Sequence, residues 1–187
     1  LQIPNHCISS MLLDILQGID FLHSNSIIHG DISEDNILIT SDNRCLIADF
    51  GLSQLEYSEQ ERIIKEEDMG TKASLIKEIY KNPFSSPEVL KGDSYYNNFS
   101  DIWAFGVLIM RFFSINYFFG CYDDRGKQLQ KINYYLDLSD KMKNEYITKF
   151  LQPKAIDSEG IFFNDQISYT YIEIINKIFI KDFNEKP

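Results

Sequence analysis

The run "IWAFGVLIMRFFSINYFFG", residues 102–120, constrains the fold more than any other part of this chain. It is apolar at nearly every helical angle, so as a helix it has no face to give to water. Its nineteen residues would also suffice in length to cross a bilayer. Arg111 near the centre, Asn116, and Asp101 just before the run argue against insertion, because a charged side chain at mid-bilayer is costly. The remaining solution is a helix walled in by protein. Other helices must then surround residues 100–119, and the chain is read as one helical unit built round them.

The surrounding segments are visible in the pattern. Ile8, Met11, Leu12, Ile15, Leu16, Ile19 and Leu22 recur at three- and four-residue steps, which predicts an amphipathic helix of about five turns capped by Asn5 or Ser9. Helical periodicity also marks "PEVLKG", residues about 139–152 and about 167–181. Short β-branched runs, "SIIH", "NILIT" and "CLIAD", lie between, and residues 52–82 are polar and turn-like. At 187 residues the chain can bury one good core, and it shows no repeat or linker. The expected fold is mainly α (α+β), with a small β-hairpin near its start.

The hairpin can be drawn residue by residue. With Ser41–Arg44 as its turn and Asp42-Asn43 at the tip, the pairs are Thr40–Cys45, Ile39–Leu46, Leu38–Ile47 and Asn36–Asp49. An amide oxygen and a carboxylate then meet at the open end. Mg²⁺ takes hard oxygen ligands and keeps waters of its own, so the pair is a candidate magnesium seat. Two capping residues at strand ends are the plainer alternative. Asp31, five residues before Asn36, tilts the choice toward a site.

Charge and cysteine usage exclude other classes. A formal charge of −10 repels phosphate backbones and acidic membrane surfaces, so neither nucleic acid nor a membrane is expected as a partner. Cys7, Cys45 and Cys121 are odd in number and scattered, and no Cys/His cluster has metal-ligand spacing. They are expected as reduced, mostly buried thiols of a cytoplasmic protein, a nuclear location being also compatible. The stretch "LQIPNHCISSMLLDILQGI" has no basic region before its apolar run and no cleavage site, so no targeting signal is expected. It lacks an initiator Met, which suggests that the chain begins inside something larger.

The motifs themselves resemble a known family. His29-Gly30-Asp31 followed by Asn36 is similar to the catalytic-loop signature HRDxxxxN of the eukaryotic protein kinases, and Asp49-Phe50-Gly51 is their DFG. Ser86-Pro87-Glu88 resembles APE, Asp101 to Gly106 matches DxWxxG, and "KDFNEKP" resembles DPxxRP. Five signatures in family order cover essentially the whole chain. The resemblance is to the C-terminal (large) lobe, so residues 1–187 are read as that portion of a kinase domain, with an activation segment at 49–88.

The resemblance implies transfer of the γ-phosphoryl group of ATP to protein hydroxyls, with ATP and Mg²⁺ as cofactors and a protein as substrate. Asp31 would be the catalytic residue that accepts or orients the hydroxyl proton. Asn36 and Asp49 would bind the metal, and Leu38 would pack under the adenine. Ser33 stands at the phosphate-facing position where serine/threonine kinases usually carry Lys, and it supplies no charge. His29 and Phe50 would be packing residues. Asp101 would hold catalytic-loop amides, a helix N-terminal carboxylate being the simpler role. Glu88 would pair with Lys186, less firmly than with the usual Arg.

Departures from the pattern carry expectations of their own. Gly30 replaces the Arg that grips a phosphorylated activation loop, so activity should not depend on phosphorylation at Thr71 or Ser74. Gly70-Thr71 lies far from "YKNPFSSPE", which blurs peptide recognition. No Gly-rich phosphate loop, strand Lys or partnering Glu is present, so a missing N-lobe or a partner domain would have to supply the other wall of the cleft. Serine/threonine specificity is the expectation. The rivals are a non-catalytic, pseudokinase-like or remnant module, and a small-molecule kinase of the aminoglycoside or choline type, which also carries HGDxxxxN.

Overall fold

The computed structural model describes residues 5–56, 83–91, 97–114, 116–120, 124–151 and 169–180. Six helices carry the described part: α1 (Asn5–Ser24), α2 (Pro87–Lys91), α3 (Asn98–Phe113), α4 (Arg125–Leu136), α5 (Asp140–Phe150) and α6 (Tyr169–Ile178). Four short strands, β1 (Ile27–Ile28), β2 (Ile37–Ile39), β3 (Cys45–Ile47) and β4 (Gln54–Leu55), form two separate antiparallel pairs. The fold is mainly α, and among the described residues the β structure lies within 27–55.

Helix α3 is the centre of the molecule. Residues Trp103 to Met110 are buried without interruption, as a helix apolar on every face requires. Asn97 starts it: its side chain accepts from Phe99 N (2.9 Å) and Ser100 N (3.2 Å), and Ser100 Oγ accepts from Asn97 N (3.4 Å). This reciprocal cap satisfies donors that a helix start otherwise orphans. The helix ends at Phe113 rather than 119, because Ser114 leaves helical geometry and its hydroxyl accepts from Asn116 N at 3.1 Å. Tyr117–Gly120 instead form a turn closed by Gly120 N–H to Tyr117 O (2.9 Å). No helix among the described residues is long and apolar enough to cross a membrane.

That turn drives Phe118 and Phe119 into the core. The Phe118 ring meets Tyr135 of α4 at 5.1 Å, Phe150 of α5 at 5.0 Å and Phe179 after α6 at 6.0 Å, mostly edge-on. Trp103 stacks on Phe119 at 5.3 Å and touches Phe179 at 4.7 Å. Gly106 lets α6 approach α3: a Cβ there would lie 2.7 Å from Ile178 Cγ2 and 2.9 Å from Phe179 Cε1. The glycine of the DxWxxG pattern therefore has a packing reason.

Helix α1 buries Ile8, Met11, Leu12, Ile15, Ile19 and Leu22 as the periodicity predicts, but Leu16 sits at the edge of that stripe and is 40% exposed. The flank of that stripe, at Asp14 and Gly18, seats the hairpin. Asp14 accepts from Arg44 Nε (2.8 and 2.9 Å) and from Cys45 N (3.0 Å). The Arg44 guanidinium, helped by that amide, holds the Asp14 carboxyl below the usual carboxylate range. Cys45 is buried and Cys7 half-buried, both free thiols, and burial pushes the Cys45 thiol up. Cys121 lies outside the described residues.

The hairpin register differs from the expected one by a single residue. The pairs are Ile37–Ile47, Leu38–Leu46 and Ile39–Cys45. Asn43 adopts a left-handed conformation (φ 61°) and its N–H reaches Thr40 O at 3.0 Å, so the loop holds three residues instead of two. Thr40 therefore faces Arg44, with Thr40 N–H on Arg44 O at 2.9 Å. A one-residue slip reassigns every pair. Leu38 and Leu46 now share one outward face, each more than half exposed. Asn36 faces Ala48, not Asp49, with Ala48 N–H on Asn36 O at 2.9 Å.

Candidate functional site

Two strand ladders bracket the candidate residues. On one side β2 pairs with β3, so residue 36 lies beside residue 48. On the other, β1 pairs with β4 through Ile27–Leu55 and Ile28–Gln54, extended by Glu56 N–H to Ser26 O (2.7 Å). The segments 29–36 and 48–53 are thereby confined between the same two clamps. The polar run after β3 gave no sign of β4 in the sequence. Yet β4 is what returns Asp49-Phe50-Gly51 to the start of the catalytic-type loop.

His29 is fully buried and ties the two segments together. Its Nε2 lies 3.0 Å from Ala48 O, and a carbonyl only accepts, so Nε2 carries the proton. Nδ1 is then left to accept from Asp31 N–H at 3.3 Å. The Phe50 ring stands edge-on to His29 at 5.1 Å but is 50% exposed, so its packing is one-sided.

Asp101, 1% exposed in the first turn of α3, fixes the loop from below. Its Oδ2 accepts from His29 N at 2.9 Å and its Oδ1 from Gly30 N at 2.8 Å. This is the amide-holding arrangement expected from the resemblance. The sequence gave no warning of a third partner, His23 Nε2 on Asp101 Oδ2 at 2.9 Å. Asp101 thus ties the last turn of α1, the loop and α3 at one point. Glu88 of α2 is joined to the same helix start, accepting from Ser100 Oγ at 3.2 Å. Its expected partner Lys186 lies outside the described residues.

Gly30 has φ 80°, a conformation that side chains resist. Gly30→Ala should cost about 1–2 kcal/mol of stability and disturb the adjacent Asp31. Urea unfolding of the two proteins checks this; equal midpoints would show that the loop relaxes freely.

The Asn36 side-chain amide donates to Asp31 O and to Asp31 Oδ2, each at 2.8 Å. That commits its nitrogen to Asp31 and leaves its oxygen as the end available to a cation. Asp49 follows Ala48, one residue beyond the pair opposite Asn36, and takes the left-handed region at φ 60°. Its Oδ1 accepts from Gly51 N at 3.0 Å. Ser33 is buried at the start of the 3₁₀ turn Glu34–Asn36 and makes no side-chain cap bond to it. A hollow beside the loop is lined by Gly30, Asp31, Phe84, Ser86, Val89 and Ala104, which places the Ser-Pro-Glu motif against the His-Gly-Asp motif.

Among the described residues, no three or more His, Cys, Asp or Glu side chains converge as a protein-only metal cage. One amide oxygen and one carboxylate suit a cation that draws its other ligands from water and phosphate, which is the habit of Mg²⁺. The donor set fits that ion.

The pattern described as protein kinase domain matches residues 1–187. A serine/threonine-protein kinase of Candida glabrata is 32% identical over 106 residues, 57% of this chain and 16% of that protein. The cyclin-dependent kinase 4 homolog of Caenorhabditis elegans is 36% identical over 107 residues, 57% of this chain and 23% of that protein. A serine/threonine-protein kinase of Arabidopsis thaliana, GRIK1, is 35% identical over 98 residues, 52% of this chain and 22% of that protein. The matched stretches span less than a quarter of each relative's length.

Proposed function

The chain belongs to the protein kinase domain family, and from that premise we propose that it forms the large lobe of an ATP- and Mg²⁺-dependent kinase acting on protein serine or threonine hydroxyls. The observation that carries the reading is the double hydrogen bond from the Asn36 amide to Asp31 O and Oδ2. It couples the carboxylate that would meet the acceptor hydroxyl to the residue that would present an oxygen to the metal.

Roles follow from position. Asp31 orients the acceptor hydroxyl and takes up its proton. Asn36 and Asp49 hold the metal from adjoining strand ends. Mg²⁺ bound there neutralises charge on the nucleotide phosphates. The exposed Leu38–Leu46 pair offers an apolar surface for the adenine ring. Ser33 faces the phosphates without a charge. Residues 49–88 serve as the activation segment, and a second lobe or partner domain closes the cleft over the outer hairpin face. Serine/threonine specificity is supported by the names of the relatives.

The test is thermal stabilisation by Mg²⁺ and an ATP analogue together. At a hundredfold excess over Kd, bound ligand adds about 2.7 kcal/mol of stability, which reads as a clear upward shift in Tm. Asp49→Ala should abolish the Mg²⁺-dependent part of the shift. A parent protein indifferent to Mg²⁺-nucleotide, or an Asp49→Ala protein with the full shift, would overturn the assignment and favour a non-catalytic module.

A further inference from the structure

We propose that Arg111 is a positioning residue for the metal-binding end of this site, acting through Glu34 on the turn that carries Asn36. The proposal rests on the magnesium reading above and adds a residue that no motif marks.

The turn Glu34–Asn36 is a poor structure by itself. It is a single 3₁₀ turn, closed by Asn36 N–H to Ser33 O at 3.2 Å, and Ser33 gives it no side-chain cap. Short 3₁₀ turns have weak hydrogen-bond geometry. Asp31, Glu34 and Asp35 also crowd three carboxylates into five residues of chain. Asn36 itself is tied to Asp31 and Ala48, and Arg111 adds a support from outside the turn, at Glu34. Its Nε donates to Glu34 Oε2 at 2.5 Å and its Nη2 to Glu34 Oε1 at 2.8 Å, a fork on a carboxylate. Tyr117 OH adds a third bond to Glu34 Oε1 at 2.9 Å.

The guanidinium is itself held. Its Nη1 donates to Ser114 O at 3.0 Å, at the end of α3, and its carbon lies 4.5 Å from the centre of the Tyr117 ring. Burial opposes ionisation of Glu34, but the hydrogen bonds from Arg111 and Tyr117 outweigh it and keep the carboxyl below its ordinary range. The pair is only partly exposed, 20% for Arg111 and 31% for Glu34, so solvent competes weakly for it.

Helix α3 therefore grips the loop at both ends. Asp101 in its first turn holds the amides of residues 29 and 30, and Arg111 in its last turn holds residue 34. Those residues are ten positions apart, about 15 Å along the axis. This largely buried helix becomes a rigid ruler for the segment from Gly30 to Asn36. Lys at 111 could keep the charge but not the fork.

The experiment uses the full-length protein and reads two quantities for each variant: Tm without ligand, and the Mg²⁺ concentration giving half-maximal nucleotide binding. Arg111→Met should raise that Mg²⁺ concentration about tenfold, as loss of an orienting partner does at metal sites. Arg111→Lys should recover part of it, and Tyr117→Phe should raise it about threefold. A lowered Tm with the parent's Mg²⁺ dependence would make Arg111 a structural tie only and overturn the proposal. If Arg111→Met does not fold, Arg111→Lys and Tyr117→Phe decide: unchanged Mg²⁺ dependence in both overturns it. Asn36→Ala separates the levels. If it leaves the Mg²⁺ dependence intact, the magnesium reading itself has failed, whatever Arg111 does.

Discussion

Asp101→Ala is expected to lower the unfolding free energy by about 3–5 kcal/mol, a large share of the 5–15 kcal/mol typical of a domain. The substitution removes almost no apolar surface. Its cost comes from what it strands. The amides of His29 and Gly30 lose their acceptor inside the protein, where each unsatisfied donor costs about 1–3 kcal/mol, and His23 loses its partner as well. His23→Ala is the control, because it leaves both amides satisfied; it should cost about 1–2 kcal/mol. Urea unfolding followed by circular dichroism measures both. A loss under 1 kcal/mol for Asp101→Ala would mean that the loop rehydrates, and that Asp101 serves mainly as a helix N-terminal carboxylate.

Phe118→Ala should be equally damaging for a different reason. The ring is fully buried and stands where the 117–120 turn, α4, α5 and the end of α6 meet. Removing it loses transfer free energy and leaves a cavity whose walls come from four separate segments that cannot collapse together. Such substitutions cost about 3–5 kcal/mol. Phe118→Leu, which fills more of the space, should cost clearly less. The two predictions differ in what they spare. The Phe118 variants, where folded, should keep the parent's Mg²⁺-nucleotide affinity, because no residue bonded to the loop is altered. Asp101→Ala should weaken it. Parallel unfolding and binding measurements would expose any failure of that separation.

The candidate site residues stood out in the sequence because their spacing is tied to local structure. Asp31, Asn36 and Asp49 flank short strands, and any folded form of that hairpin gathers its flanks. The stripe on α1 was readable for the same reason. The readings that failed depended on non-local facts. Helix α4 escaped notice because "RGKQLQKINYYL" looks polar, yet Gln128, Ile132 and Tyr135 are fully buried against elements far away in sequence. The apolar run was expected to stay helical to 119. Its last residues form a turn instead: Ser114 ends the helix, and Phe118 and Phe119 enter the core from the turn that follows. The register error has a smaller cause, one Asn accepting a left-handed φ.

The amino-acid order alone pointed to a mainly helical chain, to a hairpin flanked by the candidate site residues, and to an apolar run at 102–120 that has to be buried. Local periodicity and turn chemistry suffice for these, because they act between neighbours in the chain. Only the tertiary structure decided what holds the loop still. Asp101 is 72 residues from His29 and Arg111 is 77 from Glu34, and no local preference can foresee such partners. They meet because a helix that must be buried whole draws the rest of the chain around it, bringing both ends of the loop within hydrogen-bonding reach of a single rigid axis.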